Sequence, residues 1–333
     1  LTGRLQPLVL ADLPTPVVKL KKLEQSLGHS GLYLKQDNLS SRLYGGNKVR
    51  KLEFLLGQAK LDRVTTLLTM GGFGSNHLLA TSLHGRSLGL RTVGVVFPQP
   101  DCAAVRRNMA ANLGAGTELI KIPSKYLLPI YIAKTLAEVR LKEGRLPRLI
   151  PGGGSSPLGA LGFVNAGLEL AAQIVAGELP EPQAVFLPYG TGGTAAGLAL
   201  GLQLAGLNTK VLAVRVIDRL IANRPRLVVF LRALARLLAS GADPIGLPAR
   251  LGANLEIVHE YIGPGYGHST PEAVKAVNLF SDLEDVQLEL TYTGKAAAAF
   301  WAHAESIKGP LLFWNTYSSA DIDEWVTAGQ AHG

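Results

Sequence analysis

Short, continuously apolar runs alternate along the chain with segments in which apolar residues recur every three or four positions. Runs of the first kind include Thr65 to Met70, Thr92 to Phe97 and Val211 to Val216, and each is long enough for one buried strand. The segment from Phe163 to Val175 has the composition of a buried helix. This alternation predicts an α/β fold with open, mainly parallel sheets.

Glycine-rich turns follow two of the predicted strands. One turn runs over residues 71–77 and ends in Ser75, Asn76 and His77, and the other covers residues 189–194. Ligands commonly bind at helix N-termini beyond the ends of parallel strands, and unobstructed backbone amides there suit a phosphate. Ser75 or Asn76 can equally be a simple helix cap. Ala195 occupies the sixth position of the second turn, which therefore lacks the dinucleotide-binding fingerprint.

A third glycine turn, at residues 44–47, precedes a basic helix. Asn47 is predicted to cap this helix, because Val49, Leu52 and later apolar residues recur at helical spacing. Lys48 then lies in the first turn, where the helix dipole disfavours its protonated form. A less protonated amine is what Schiff-base chemistry requires. On their charges alone, Lys48 and its basic neighbours also fit a solvated surface.

Composition limits the classes of partner. With 333 residues, 47% of them hydrophobic and 17% charged, the chain is predicted to be globular with about two domains. The net charge is +8, but no dense basic run occurs and aromatic residues are only 6%, so we expect no nucleic-acid partner. Residues 224–238 carry four arginines on an amphipathic pattern, which predicts an ordinary surface helix.

The single cysteine and the N-terminal sequence indicate the cellular compartment in which the protein is expected. Cys102 cannot form an internal disulfide and is predicted to be a buried or half-buried thiol. The first 14 residues lack the pattern of a signal peptide, and no apolar run reaches about 18 residues. We therefore expect a cytoplasmic protein without a membrane span.

Several motifs resemble those of one enzyme family. Gly-Gly-Asn-Lys-x-Arg-Lys-Leu-Glu at residues 45–53 is similar to the cofactor-lysine motif of the D-cysteine desulfhydrase and 1-aminocyclopropane-1-carboxylate (ACC) deaminase family. Ser-Asn-His at 75–77, Gly-Pro-Gly-Tyr-Gly at 263–267 and Tyr-Thr-Gly-Lys at 292–295 follow in the family's order. The members are pyridoxal-phosphate enzymes of the tryptophan-synthase-β fold type.

The resemblance implies an architecture and a cofactor. We expect two open, mainly parallel α/β domains with pyridoxal 5′-phosphate in the cleft between them, and a homodimer. Residues 1–47 and 161–333 would form the large domain, and residues 48–160 a smaller inserted domain. No metal site is predicted.

The resemblance also assigns roles to single residues. Lys48 would form the Schiff base, Lys51 would lie near the cofactor phosphate, Asn76 would bind the 3′-oxygen and Thr316 would face the ring nitrogen. The phosphate would be held by Gly190, Thr191, Gly192, Gly193 and Thr194. The groups that bind substrate or move protons would be Ser75, Asn76, His77, Tyr266 and Tyr292.

The sequence departs from the family pattern at three places that are expected to affect which substrate the protein accepts. Gly74 replaces a usual Gln, which predicts a side chain missing from the substrate pocket. Thr293 stands where ACC deaminases carry Glu, which disfavours ring-opening deamination. Residues 315–317 read Asn-Thr-Tyr instead of the usual His-Thr-Gly, and this change reshapes the pocket edge.

The predicted reaction is a D-cysteine desulfhydrase-type α,β-elimination that gives pyruvate, ammonia and sulfide. The neutral Thr316 opposite the ring nitrogen favours abstraction of the α-proton followed by rapid loss of the β-substituent. Alternatives within the fold are an ACC deaminase and an eliminase or racemase of another D-amino acid. A non-catalytic small-molecule binder is the alternative from a different class.

Overall fold

The structure, a computed structural model, describes residues 6–241 and 246–331. Residues 1–5, 242–245 and 332–333, which belong to the predicted large domain, lie outside the described residues. The described strands are β1 Val17–Lys19, β2 Leu32–Lys35, β3 Thr66–Gly72, β4 Arg91–Phe97, β5 Glu118–Lys121, β6 Arg148–Leu149, β7 Ala184–Tyr189, β8 Lys210–Arg215, β9 Leu255–Val258 and β10 Leu311–Trp314. The described α-helices are α1 Lys21–Leu27, α2 Asn47–Leu61, α3 Asn76–Ser87, α4 Ala103–Gly114, α5 Leu128–Glu143, α6 Pro157–Val175, α7 Gly193–Leu204, α8 Arg224–Ala239, α9 Pro271–Glu284, α10 Thr293–Ala304 and α11 Asp323–Gln330.

These strands form two sheets. The larger sheet has the order β1-β2-β10-β7-β8-β9 and is parallel except at the β1–β2 pair. The smaller sheet has the order β5-β4-β3-β6 and is parallel throughout. Strands such as β7, which is buried along its whole length, are apolar without alternation because helices cover both faces of a parallel sheet. The predicted α/β fold with open, mainly parallel sheets is confirmed.

The smaller sheet uses only residues 66–149, within the predicted insertion. The C-terminal helix α11 nevertheless packs against α4, which lies beside that sheet. The two helices approach closely, since a Cβ on Gly114 would lie 2.0 Å from the backbone oxygen of Trp325. The division at residues 47/48 and 160/161 stays a prediction.

Helices α6 and α7 form the centre of the core behind the larger sheet. Gly197 and Gly201 bring α7 against the backbone of α6, where a Cβ on Gly201 would lie 2.3 Å from the oxygen of Val164. Helix α6 is long and apolar enough to cross a membrane by length and composition, but more than half of it is buried in the protein. Glu169 and Gln173 lie within this helix, so it contains no uninterrupted apolar run of about 18 residues. Its packing is that of a core helix.

A buried ion network fixes the beginning of α2. The guanidinium of Arg50 donates to both oxygens of Asp37 and to both oxygens of Glu169, at distances of 2.8 to 3.1 Å. Lys35 donates to the same Glu169 carboxylate at 2.6 Å. The pairing lowers the pKa of Glu169 to about 2 despite its burial. The network therefore joins α2 to β2 and α6, two residues beyond Lys48.

Candidate active site

A cavity of about 940 Å³ lies in the cleft between the two sheets and is lined from both sides. Its walls include the end of β3 and the N-terminus of α3 on one side, and the ends of β7 and β8 on the other. The structure brings together most of the predicted site residues here, namely Lys48, Lys51, Ser75, Asn76, His77, Gly190, Thr191, Gly192, Thr194, Tyr266, Tyr292 and Thr316. Gly193 follows directly in the same loop.

The turn that carries Lys48 depends on glycine. Gly46 has a φ of +80°, and a Cβ there would lie 2.6 Å from the carbonyl oxygen of Thr316. Helix α2 begins at Asn47, so the prediction that Asn47 is the cap was wrong. The Asn47 side chain instead donates to Thr194 Oγ1 at 3.0 Å and accepts from Lys48 Nζ at 2.7 Å. This tertiary contact ties the lysine to the loop after β7.

The Lys48 amine is less basic than an ordinary lysine amine. Burial lowers the pKa of Lys48 to about 8, and the negative charge of Glu289 opposes this shift. The predicted direction is confirmed, but its main cause is desolvation by the cleft walls and not the helix dipole. Lys51, one turn later, is buried and donates to the Gly153 oxygen at 3.1 Å. Burial and the neighbouring Lys48 charge hold the pKa of Lys51 well below its usual value.

The loop after β7 forms a cradle of backbone amides. Gly192 has a φ of +94°, and no atom lies within 4 Å of a Cβ placed on Gly190. Helix α7 begins at Gly193 without a side-chain cap, so its first amides point into the cleft region. Ser155 Oγ accepts from the Gly193 amide at 3.2 Å and bonds to Thr191 Oγ1 at 2.6 Å. Ser155, which follows the glycine run at residues 152–154, is not among the residues predicted from the sequence.

The amide of Asn76 is oriented by two donors. Its Oδ1 accepts from Asn108 Nδ2 at 2.8 Å and from Tyr44 OH at 3.2 Å, so its Nδ2 is left to donate to a ligand. Ser75 caps α3 and accepts from the Leu78 amide at 3.3 Å, which keeps its hydroxyl hydrogen available. Asn108 lies on α4, and no local pattern in the sequence marks it as a partner of Asn76.

His77 is buried and lines the cavity. Its Nε2 contacts Thr69 Oγ1 at 3.1 Å. Burial, followed by the Lys48 and Lys51 charges, lowers the pKa of His77 well below its usual value. The ring is therefore neutral at physiological pH, and we place it among the groups that shape the site.

Two tyrosines meet across the opposite wall. Tyr266 OH lies 2.7 Å from Tyr292 OH, and burial raises the pKa of both phenols, so both stay protonated at neutral pH. The buried Lys295 holds the glycine loop of Tyr266 by donating to the oxygens of Ile262 and Gly265.

Glu289 is a cleft residue that sequence analysis missed. Its carboxylate accepts the backbone amides of Thr291, Tyr292 and Thr293 at 2.7 to 2.8 Å, at the N-terminus of α10. Burial nevertheless raises the pKa of Glu289. An acid just before a helix is the signal that could have found it.

The departures from the family pattern have specific structural consequences. A Cβ on Gly74 would lie 2.8 Å from Val105 Cγ2 and 3.1 Å from Gln99 Nε2, and the Gly74 amide donates to Gln99. A Cβ at this position would thus meet protein atoms first, and the prediction that Gly74 removes a side chain from the substrate pocket stays a prediction. Asn315 is buried and accepts from the Tyr317 amide at 3.2 Å, so it stabilises the loop that carries Thr316.

Two further expectations are corrected. Cys102 is exposed and not buried, because it directly precedes the first residue of α4 at the surface. Helix α8 is not an ordinary surface helix, since one of its sides lines the cavity with residues that include Val229, Phe230 and Ala233.

A lysine of lowered basicity beside an amide cradle, in the cleft of two parallel α/β sheets, is the arrangement of a fold type II pyridoxal-phosphate enzyme. Residues 8–316 match the family model described as "Pyridoxal-phosphate dependent enzyme". The chain belongs to this family.

Individual relatives agree with this assignment. The chain is 37% identical over 295 residues to nocardicin C-9′ epimerase of Nocardia uniformis subsp. tsuyamanensis, covering 87% of each protein. It is 33% identical over 322 residues to D-cysteine desulfhydrase of Salmonella choleraesuis (strain SC-B67), covering 94% of each. A crystal structure of an ACC deaminase homologue has a TM-score of 0.82 at 26% identity and covers 98% of this chain and 97% of its own. The predicted family, fold type and cofactor are confirmed.

The described residues fit pyridoxal phosphate. The open cradle at Gly190 and the N-terminus of α7 suit a phosphate dianion, the Lys48 amine is partly unprotonated, and Asn76 keeps a free donor. These are the groups that a phosphorylated aldehyde cofactor requires.

Proposed function

We propose that the chain is a carbon–sulfur lyase or deaminase that removes the α-proton of an amino acid and expels a β-substituent, as in D-cysteine desulfhydrase. The observation that carries this proposal is Lys48, a cleft lysine with a pKa of about 8. The likeness to D-cysteine desulfhydrase over 94% of both chains supports the same class of reaction.

The cofactor-binding roles follow the predicted ones. Lys48 would hold the cofactor covalently through its amine, and Lys51 would lie on the phosphate side. The phosphate would be held by Gly190, Thr191, Gly192, Gly193 and Thr194, with help from Ser155. Asn76 Nδ2 would donate to the 3′-oxygen and Thr316 would face the ring nitrogen.

Bound pyridoxal phosphate supplies an electron sink for the carbanion at the substrate α-carbon. Lys48 Nζ takes the α-proton, because its lowered pKa leaves much of the amine neutral near pH 8. Ser75 donates its free hydroxyl hydrogen to the substrate carboxylate, beside Asn76 and the neutral His77. The protonated Tyr266–Tyr292 pair donates to the leaving group.

The location, oligomeric state, domains and partners that we propose are those predicted from the sequence. We propose a cytoplasmic homodimer that acts on an amino acid, with a small domain near residues 48–160 and without a metal, a nucleic-acid partner or a membrane partner. The family likeness is the support for the dimer.

Epimerisation is the second candidate function. The 37% identity to nocardicin C-9′ epimerase favours it. The cleft also holds two separate proton carriers, Lys48 and the Tyr266–Tyr292 pair, and inversion at an α-carbon needs one group to remove a proton and another to return it.

The test uses purified protein incubated with pyridoxal phosphate. We expect a visible absorption band in the parent and in Lys60→Ala, an exposed control on the same helix, and its loss in Lys48→Ala. D-Cysteine should then yield pyruvate in the first two proteins. Exchange of the α-hydrogen in D₂O without pyruvate would select the epimerase. A parent protein that shows neither a band nor exchange would refute both functions.

A further inference from the structure

The cleft extends beyond the polar site into an apolar arm. The walls of this arm are Leu128 from the side of the smaller sheet and Ile217, Ile221, Val229, Phe230 and Ala233 from the side of the larger sheet. The whole cavity, at about 940 Å³, lies at the upper end of the range of roughly 300–1,000 Å³ found for drug-sized ligands. A cofactor and a cysteine-sized substrate leave much of it unfilled.

The arm is a fixed surface. The opposite side of α8 is anchored in the core through Leu231, Leu234 and Leu238, which are essentially inaccessible to solvent. The residues that face the cleft keep much of their surface in water, with Val229 65% exposed and Ile221 40% exposed. Contiguous exposed apolar surface inside a cleft marks a binding surface for apolar groups.

Two polar side chains around the arm, Lys125 and Arg226, already have partners within the protein. Lys125 Nζ contacts Asp218 Oδ2 at 2.5 Å across the cleft, and the Arg226 guanidinium donates to the Leu220 oxygen at 3.3 Å. A ligand in the arm therefore gains chiefly by burying its own apolar surface.

We propose that this arm binds the side chain of the substrate, and that the substrate is an amino acid with a long, mainly apolar side chain such as an aryl or alkyl thioether. This inference rests on the proposed function and departs from D-cysteine itself. The arm belongs to the same cavity as Lys48, so one molecule can occupy the polar site and the arm together.

For a thioether, the reaction balances as follows. The Cα–H and Cβ–S bonds break, the sulfur leaves as a thiol with one proton, and a double bond forms between Cα and Cβ. Water then hydrolyses the resulting enamine to pyruvate and ammonia. S-Benzyl-D-cysteine would thus release benzyl mercaptan.

The test compares S-benzyl-D-cysteine with D-cysteine on the holoenzyme. We expect kcat/KM to be at least about tenfold higher for the benzyl compound, since apolar groups in a fitted pocket change this constant by about 10–200-fold. In Val229→Asp the ratio of the two constants should fall by about tenfold. Val175→Asp, at a 90% exposed position on α6, is the matched control and should keep the parental ratio. Equal constants in the parent, or an unchanged ratio in Val229→Asp, would overturn the inference.

A second measurement separates this inference from the proposed function. Titration of the visible band with D-2-amino-4-phenylbutyrate and with D-alanine gives dissociation constants without elimination. Tighter binding of the aryl compound that is lost in Val229→Asp supports the arm even if no pyruvate forms. Equal binding of the two compounds refutes it even if D-cysteine is a substrate.

Discussion

The basicity of Lys48 sets the pH at which the cofactor can attach. The pKa of Lys48 is about 8, against 10.5 for an ordinary lysine. At pH 8 about half of the Lys48 amines are neutral, compared with about 0.3% of ordinary amines, which is a gain of about 150-fold in reactive amine. Because the Glu289 charge raises this pKa, Glu289→Gln should move it below 8.

The assay is stopped-flow absorption during addition of pyridoxal phosphate to cofactor-free protein, from pH 6 to 10.5. The attachment rate should rise with pH to a midpoint near 8 in the parent and below 8 in Glu289→Gln. Asp282→Asn removes one exposed charge from α9 and should leave the midpoint in place. The ionisations of the cofactor are common to all three proteins and cancel in the comparison. A parental midpoint near 10, or an upward shift in Glu289→Gln, would refute this account of the Lys48 environment.

Urea unfolding of two variants tests how much Gly46 and Arg50, which hold the start of α2 in place, contribute to stability. Gly46→Ala forces a Cβ against the Thr316 oxygen at a φ of +80° and should lower the free energy of unfolding by about 1–3 kcal/mol. Gly177→Ala, at a φ of +79° with no atom within 4 Å of the added Cβ, should lower the free energy of unfolding by less. Equal decreases in the two variants would contradict the proposed clash at Gly46. Arg50→Met leaves the Asp37 carboxylate buried without its partner and should cost about 3–5 kcal/mol, whereas a loss below about 1 kcal/mol would show that the network contributes little.

Local patterns were sufficient to predict the sheets and the glycine turns that line the cavity. Continuous apolar runs marked strands such as β7, because a strand buried on both faces has no polar side. The loops that carry Lys48, Asn76 and Gly190 were found because glycine turns at helix N-termini have a local sequence signature.

Apart from Glu289, whose bonds are local, the features that could not be predicted from the sequence depend on contacts between distant segments. Asn47 is of a residue type that often caps helices, but its side chain instead donates a hydrogen bond to Thr194, which lies 147 residues away in the sequence. Asn108 orients Asn76 from another helix, and no periodicity reveals that pair. The apolar periodicity of α8 identified the side of the helix that packs in the core. The apolar residues on its cleft side do not follow this periodicity, so the pattern did not predict that they line the cavity.

Within the described residues, the backbone passes between the side of the larger sheet and the side of the smaller sheet before α2, before α6 and before α11. The first and third of these passages lie side by side, since Asn47 N donates to Thr316 O at 3.1 Å and Gly46 packs on the same segment. Lys48 directly follows this pair, so backbone from two distant parts of the chain fixes the position of the lysine. The Lys125–Asp218 bridge, in contrast, joins the two sides through exposed side chains alone, so breaking it leaves the backbone bond beside Lys48 in place.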